Sequence, residues 1–139
     1  MTNENPGEGF ERDPYVLNHP QTLPFWRAAA EGRLLLPRCR SCGRAHWYPR
    51  PFCPFCRSVD VEWEQASGKG VVYSFSVMRR ARAPYCVALV SLDEGPTLMT
   101  NLVDGTSAPP SIGQRVQVAF VVSTEGRRVP VFRPDDEAP

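Results

Sequence analysis

Four cysteines constrain this chain more than any other feature. They read Cys39-Arg40-Ser41-Cys42 and, after ten further residues, Cys53-Pro54-Phe55-Cys56. Two CxxC hooks at this separation can bring four thiolates around one tetrahedral ion. Both sulfurs of a hook grip the same ion, and ten residues suffice for a hairpin that returns the chain to it. Gly43 follows the first hook, where a tight turn calls for positive φ. Pro54 stiffens the second hook.

The pattern predicts a zinc ribbon, a rubredoxin-like pair of knuckles with Cys39, Cys42, Cys53 and Cys56 as metal ligands. Paired disulfides or a redox pair fit less well in a chain so poor in cysteine and without secretory character. On geometry alone four thiolates hold zinc or iron equally well. Iron would imply electron transfer to another protein, since no flavin or haem signature is visible. One structural zinc is therefore the expectation, with iron as the alternative. Four cysteine ligands leave no open position for catalysis. His46, between the hooks, is either a donor to a ligand sulfur or an ordinary hairpin residue.

A chain of 139 residues makes one domain or two very small ones. No apolar run is long enough to cross a bilayer. The polar, acidic N-terminus lacks the basic-then-apolar order of a secretory signal, so a cytoplasmic location without membrane association is expected. The formal net charge is +1, and four thiolates with one Zn²⁺ bring it to about −1. That argues against nucleic acid as a partner. Seven arginines (27, 33, 38, 40, 44, 50 and 57) nevertheless face one acid, Glu31, between Arg27 and Arg57. They either sit in solvent and offset the thiolate charge, or contact phosphate or an acidic protein surface, which arginine does bidentately.

Along the chain, 1–17 reads as a disordered or loosely docked arm. A helix is expected over 18–33, with Thr22 as cap, Pro24 early and Gly32 as stop. Its aromatic pair, Phe25 and Trp26, must cover either an internal core or a partner surface. The zinc ribbon occupies 34–58, where Trp47, Tyr48 and Phe52 shield the ion. From Val59 the alternation Val59, Val61, Trp63 marks a half-buried strand. Strands follow near 71–77, 85–92, 97–103 and 115–122, with a short last one near 129–132. Short strands, glycine-rich turns and no long helix make 59–134 a five-stranded OB-fold barrel, which closes its own edges. Residues 135–139 are a tail. Cys86 is expected as a small core side chain. The fold class is mostly β: helix, ribbon, barrel.

Chemistry of its own is hard to find. No triad can be assembled from two histidines and scattered acids, and there is no nucleotide loop and no HExxH. The chain is expected not to be an enzyme. A single-stranded nucleic-acid binder is the alternative, using Tyr73, Phe75 and Tyr85 with Arg79, Arg80 and Arg82.

The order Phe25-Trp26, Gly32, Cys39-x-x-Cys42-Gly43, Pro49-Arg50, Cys53-Pro54-x-Cys56, Trp63, Ser67-Gly68-x-Gly70-x-Val72-Tyr73-Ser74 resembles the DUF35 family. So do Pro84-Tyr85-x-x-Ala88-x-Val90-x-Leu92, Ile112-Gly113-x-x-Val116 and Pro130-Val131-Phe132. The likeness covers roughly 20–134 and departs from the usual aromatic-Pro-Pro-Arg at Tyr48. It implies an N-terminal helix, a zinc ribbon and an OB barrel. It also implies a non-catalytic accessory subunit for a thiolase-like or MaoC-like acyl-CoA enzyme, with acyl-CoA itself a candidate ligand of the barrel. On that reading Arg50, Arg79, Arg80 and Arg82 are the candidate phosphate contacts, and Phe25 and Trp26 the candidate partner contacts.

Overall fold

Asp13-Pro14 is a helix-start pairing: a side-chain acceptor, then a residue whose missing N–H would have no partner there. In the computed structural model, which describes residues 12–135, it opens α1 (Pro14–Asn18). Tyr15 N–H donates to Asp13 Oδ1 at 2.8 Å, and Val16 is buried. The described part of the expected arm is therefore a docked helix rather than a loose segment; 1–11 lie outside the described residues.

A 3-10 turn, Pro20–Thr22, leads into α2 (Leu23–Ala30). Two short helices and a turn thus replace the one helix expected over 18–33. Thr22 makes no capping bond. Its Oγ1 donates to the His19 carbonyl at 2.6 Å and accepts from Trp26 Nε1–H at 3.1 Å. Gly32, at φ +77°, ends the helix. Its N–H reaches Ala29 O, and Arg33 N–H reaches Ala28 O, both at 2.9 Å, so the last carbonyls are satisfied.

Phe25 and Trp26 are 4% and 8% exposed, which corrects their reading as partner contacts. Their rings meet edge to face at 4.9 Å, and Trp47 lies 4.8 Å from Phe25. With Ala28, Ala29, Leu34 and Leu36 they form an internal core. The small alanine face lets the helix approach closely enough to bury both rings.

β1 (Leu35–Cys39) pairs antiparallel with β2 (Val61–Gln65), from Leu35 opposite Gln65 to Cys39 opposite Val61. This moves the strand expected to open the barrel into the ribbon. Its alternation announces a half-buried strand without naming a neighbour. Across the pair, Arg38 meets Glu64 and Arg40 meets Glu62, opposite charges of the kind that favour a pairing. The chain divides into two compact units: residues up to Ala66 with Phe120–Pro130, and Ser67–Ala119 with residues from Val131 on.

The larger sheet comprises β3 (Lys69–Met78), β4 (Tyr85–Leu92), β5 (Thr97–Asn101), β6 (Arg115–Val122) and β7 (Arg128–Pro134), in the order β5-β4-β3-β6-β7. A parallel bridge between Leu102 and Phe132, with Val103 N–H donating to Phe132 O at 2.9 Å, brings its two ends together. This is the curled five-stranded antiparallel sheet of an OB fold. The count of five holds, with the first expected strand lost to the ribbon and the short last one gained. Val72, Ala88, Val90, Leu92, Leu98, Val116 and Phe132 fill the interior. Cys86 is among them, its thiol pushed up by burial. No helix among the described residues is long and apolar enough to cross a membrane.

Candidate metal centre

The two hooks repeat one local geometry. In the first, Gly43 N–H donates to Cys39 O at 2.9 Å; in the second, Arg57 N–H donates to Cys53 O at 2.9 Å. Each donor sits at positive φ, +76° for Gly43 and +67° for Arg57. The turn requires the left-handed region at the residue after each second cysteine. Glycine meets that freely, whereas arginine adopts it at a cost of about 1 kcal/mol. Cys39 N–H donates to Arg44 O at 3.0 Å, closing the loop of the first hook.

These turns aim four sulfurs at one point. The Sγ atoms of Cys39, Cys42, Cys53 and Cys56 all lie within 4.8 Å of one another. Cys39 and Cys56 are separated by 3.5 Å, and Cys42 and Cys53 by 3.7 Å. Tetrahedral zinc with Zn–S of about 2.3 Å needs sulfurs about 3.8 Å apart, so the cluster fits one such ion. Backbone dipoles prepare two of the ligands, Cys39 and Cys53. Cys42 N–H points at Cys39 Sγ from 3.5 Å and draws that thiol down to about 6. Burial opposes ionisation of Cys53, but the Cys56 and Phe55 N–H groups outweigh it, and its thiol is lowered too. Cys39 and Cys53 are buried, while Cys42 and Cys56 face solvent.

His46 is 2% exposed, and neither ring nitrogen has a hydrogen-bond partner among the described residues. Burial first, and the Arg50 charge second, hold its imidazole below the ordinary value. It is a neutral core residue outside the four-sulfur cluster, with no bond to a ligand sulfur.

The arginine run is largely spoken for. Arg33 pairs with Glu31 at 2.9 Å, Arg40 pairs with Asp60 and Glu62, and Arg38 pairs with Glu64. Arg44 lies over the Phe55 ring at 3.5 Å. The acids answering Arg38 and Arg40 lie 20 to 26 positions further along, in and beside β2. Arg50 lines a pocket of the first unit with Pro37, Pro49, Pro51, Val61 and Trp63. Arg79, Arg80 and Arg82 are exposed on the β3–β4 loop of the second unit. The four candidate phosphate contacts thus fall in two different units.

Two features escaped the sequence reading. Arg127 makes a 2.7 Å ion pair with buried Asp13, and its guanidinium stands 4.3 Å over the Trp26 ring and 5.1 Å from that of Tyr15. Nothing local signals Arg127, although Asp13-Pro14 was a readable helix start. At Tyr73 the register slips: Val72 faces Val90 while Ser74 faces Leu89. The extra residue is a bulge. It leaves Tyr73 64% exposed instead of sharing the half-buried position of Phe75.

Fold and metal centre together define a zinc-ribbon and OB-fold protein. Two family models match, the ChsH2 rubredoxin-like zinc ribbon domain at residues 26–62 and the ChsH2 C-terminal OB-fold domain at 63–121. The chain is 33% identical to a DUF35 domain-containing scaffold protein of Methanocaldococcus jannaschii, covering 76% of this chain and 81% of the relative. It belongs to the DUF35 family. It is also 39% identical to a probable enoyl-CoA hydratase alpha subunit of Thermomonospora curvata, over 79% of this chain but 36% of that one. The chain therefore spans about a third of the length of that relative. Among solved structures, an Ltp2–ChsH2(DUF35) aldolase superposes with a TM-score of 0.73 at 36% identity, covering 81% of this chain and 93% of that chain.

Proposed function

We propose that this chain is a non-catalytic accessory subunit of a thiolase-like or MaoC-like acyl-CoA enzyme. The ion, zinc on this reading, holds structure, since four thiolates saturate it. The partner supplies the reacting groups, and the barrel offers a place for the acyl-CoA. The observation that carries this reading is the reach of the likeness to a solved chain described within an Ltp2–ChsH2(DUF35) aldolase, 93% of which is covered. The names of two relatives, a DUF35 domain-containing scaffold protein and a probable enoyl-CoA hydratase alpha subunit, support it.

The test is co-expression with a thiolase-like or MaoC-like gene from the same genomic neighbourhood. The two proteins should co-purify and turn over acyl-CoA only together. Robust thioester turnover by this chain alone would remove the accessory role. The phosphate assignment has its own test. Replacing Arg79, Arg80 and Arg82 together by Ala should weaken CoA binding several-fold and flatten its salt dependence. Unchanged binding refutes that assignment. Arg50→Ala probes the other unit separately.

Exposure of Tyr73 and Tyr85 beside these arginines favours a second reading, a single-stranded nucleic-acid surface. Titration with labelled oligonucleotides alongside CoA thioesters decides between the two by which binds tighter.

A further inference from the structure

The four sulfurs of the metal centre are not equivalent. Each hook buries its first cysteine and shows its second to solvent: Cys39 and Cys53 are 0% exposed, while Cys42 and Cys56 face outward. Across the hooks, Cys42 Sγ stands 3.7 Å from Cys53 Sγ and Cys56 Sγ 3.5 Å from Cys39 Sγ. Behind each solvent-facing sulfur of one hook lies a buried sulfur of the other. The buried sulfurs are also held from their own side. Cys42 N–H points at Cys39 Sγ from 3.5 Å, and Phe55 N–H at Cys53 Sγ from 3.4 Å. A lone pair engaged by its own hook is not free to attack there, whereas the approach from the other hook stays open.

The hooks are held face to face by more than an ion. Ser41 Oγ and Ser58 Oγ, one beside each hook, lie 2.7 Å apart. Arg40 N–H donates to Asp60 O at 2.9 Å, and β1 stays paired with β2 as far as Cys39 opposite Val61. None of these contacts involves a thiolate. They keep each cross-hook pair of sulfurs within about 1.5–2 Å of bonding distance.

We propose that Cys42 and Cys56 are oxidation sites, resolved across the hooks by Cys53 and Cys39, so that peroxide turns the four-thiolate site into two nested disulfides, Cys42–Cys53 inside Cys39–Cys56. The Cys42 thiolate attacks a peroxide oxygen: an S–O bond forms, the O–O bond breaks and hydroxide leaves, which gives the sulfenic acid. The Cys53 thiolate then attacks that sulfur: an S–S bond forms, the S–O bond breaks and a second hydroxide leaves. The two sulfurs lose the two electrons that peroxide gains, and two protons from solvent turn both hydroxides into water. Cys56 and Cys39 repeat the sequence with a second peroxide. With no thiolate left to hold it, the metal ion is released. The new bonds join hook to hook, so the ribbon stays closed. Bonds within each hook, Cys39–Cys42 and Cys53–Cys56, would leave the two knuckles unlinked.

Hydrogen peroxide added to the full metal-loaded chain tests this. A chromogenic chelator added afterwards reads the released ion, and alkylation of the denatured protein counts free thiols. Two equivalents of peroxide should release the ion and lower the alkylated thiols from five to one, the buried Cys86. Trypsin cuts after Arg40, between Cys39 and Cys42, and after Arg44, between the hooks. Tandem mass spectrometry of the unreduced peptides therefore reads each pairing, and Cys42–Cys53 with Cys39–Cys56 is expected. Hydrogen exchange at the Gly43 and Arg57 amides should stay slow in the oxidised protein but speed up in reduced protein stripped by chelator. Dithiothreitol with added zinc should restore five thiols and the bound ion. Pairing within the hooks overturns the proposal. So does sulfinic acid in place of disulfide, or survival of all four ribbon thiols in peroxide that oxidises free cysteine. None of these outcomes bears on whether the chain serves an acyl-CoA enzyme.

Discussion

Cys53 in the ribbon and Val90 in the barrel are equally inaccessible, both 0% exposed, but what surrounds them differs. Beside Cys53, Phe52 and Phe55 are 44% and 48% exposed. The knuckles have no hydrocarbon interior of their own, and the place of a core is taken by four sulfurs aimed at one ion. Around Val90 lie Val72, Ala88, Leu92 and Phe132, all buried. One region closes on a metal through local turns, and the other closes on itself through long-range strand pairing. The knuckles should therefore depend steeply on metal supply, and the barrel on shape and volume.

The sharpest way to break that contrast is to remove the ion. A structural four-cysteine zinc site contributes on the order of 10 kcal/mol or more to folding. Under a strong chelator, hydrogen exchange should speed up at the amides of Gly43, Cys53 and Arg57 while those of Val90 and Leu102 stay protected. Cys53→Ser should reproduce the effect without chelator. Uniform loss of protection would show that the two regions fold as one.

Cavities in the apolar regions come next. Phe132→Ala should cost about 3–5 kcal/mol in the barrel, seen as a lowered denaturation midpoint with metal content unchanged. Arg127→Ala should cost a similar amount, about 3 kcal/mol, because it strands buried Asp13 without its counter-charge. It should also alter the near-ultraviolet signal of Trp26 and Tyr15. If Arg127→Ala behaves like a surface change, the ion pair with Asp13 does not organise the helical layer.

The smallest effect sharpens the comparison within the ribbon. Arg57→Gly relieves the left-handed backbone that Gly43 occupies freely in the first hook. The gain should be at most about 1 kcal/mol, offset in part by glycine's greater freedom when unfolded. A small rise in the midpoint, or none, agrees with the repeated turn. A clear loss would mean that the Arg57 side chain makes a contact of its own.

Much of this was readable beforehand, for a physical reason. Metal hooks are local: both ligands and the turn between them fit within five residues, so spacing alone declared Cys39, Cys42, Cys53 and Cys56. Alternation in Val71–Val77 and Tyr85–Leu92 likewise marked barrel strands, because a half-buried strand writes its period into its own residues. The same alternation could not say that Val61–Gln65 would pair with Leu35–Cys39, since the period carries no information about the neighbour. Nor could it show the bulge that turns Tyr73 outward.

The sequence by itself determined that four thiolates would meet at one ion and that a short-stranded barrel would follow them. Only the tertiary structure decided that Phe25 and Trp26 would be buried rather than presented, and that Arg127 would find Asp13 more than a hundred positions away. Each of these depends on which distant segment arrives beside a residue, and that is settled by packing across the whole chain rather than by local preference.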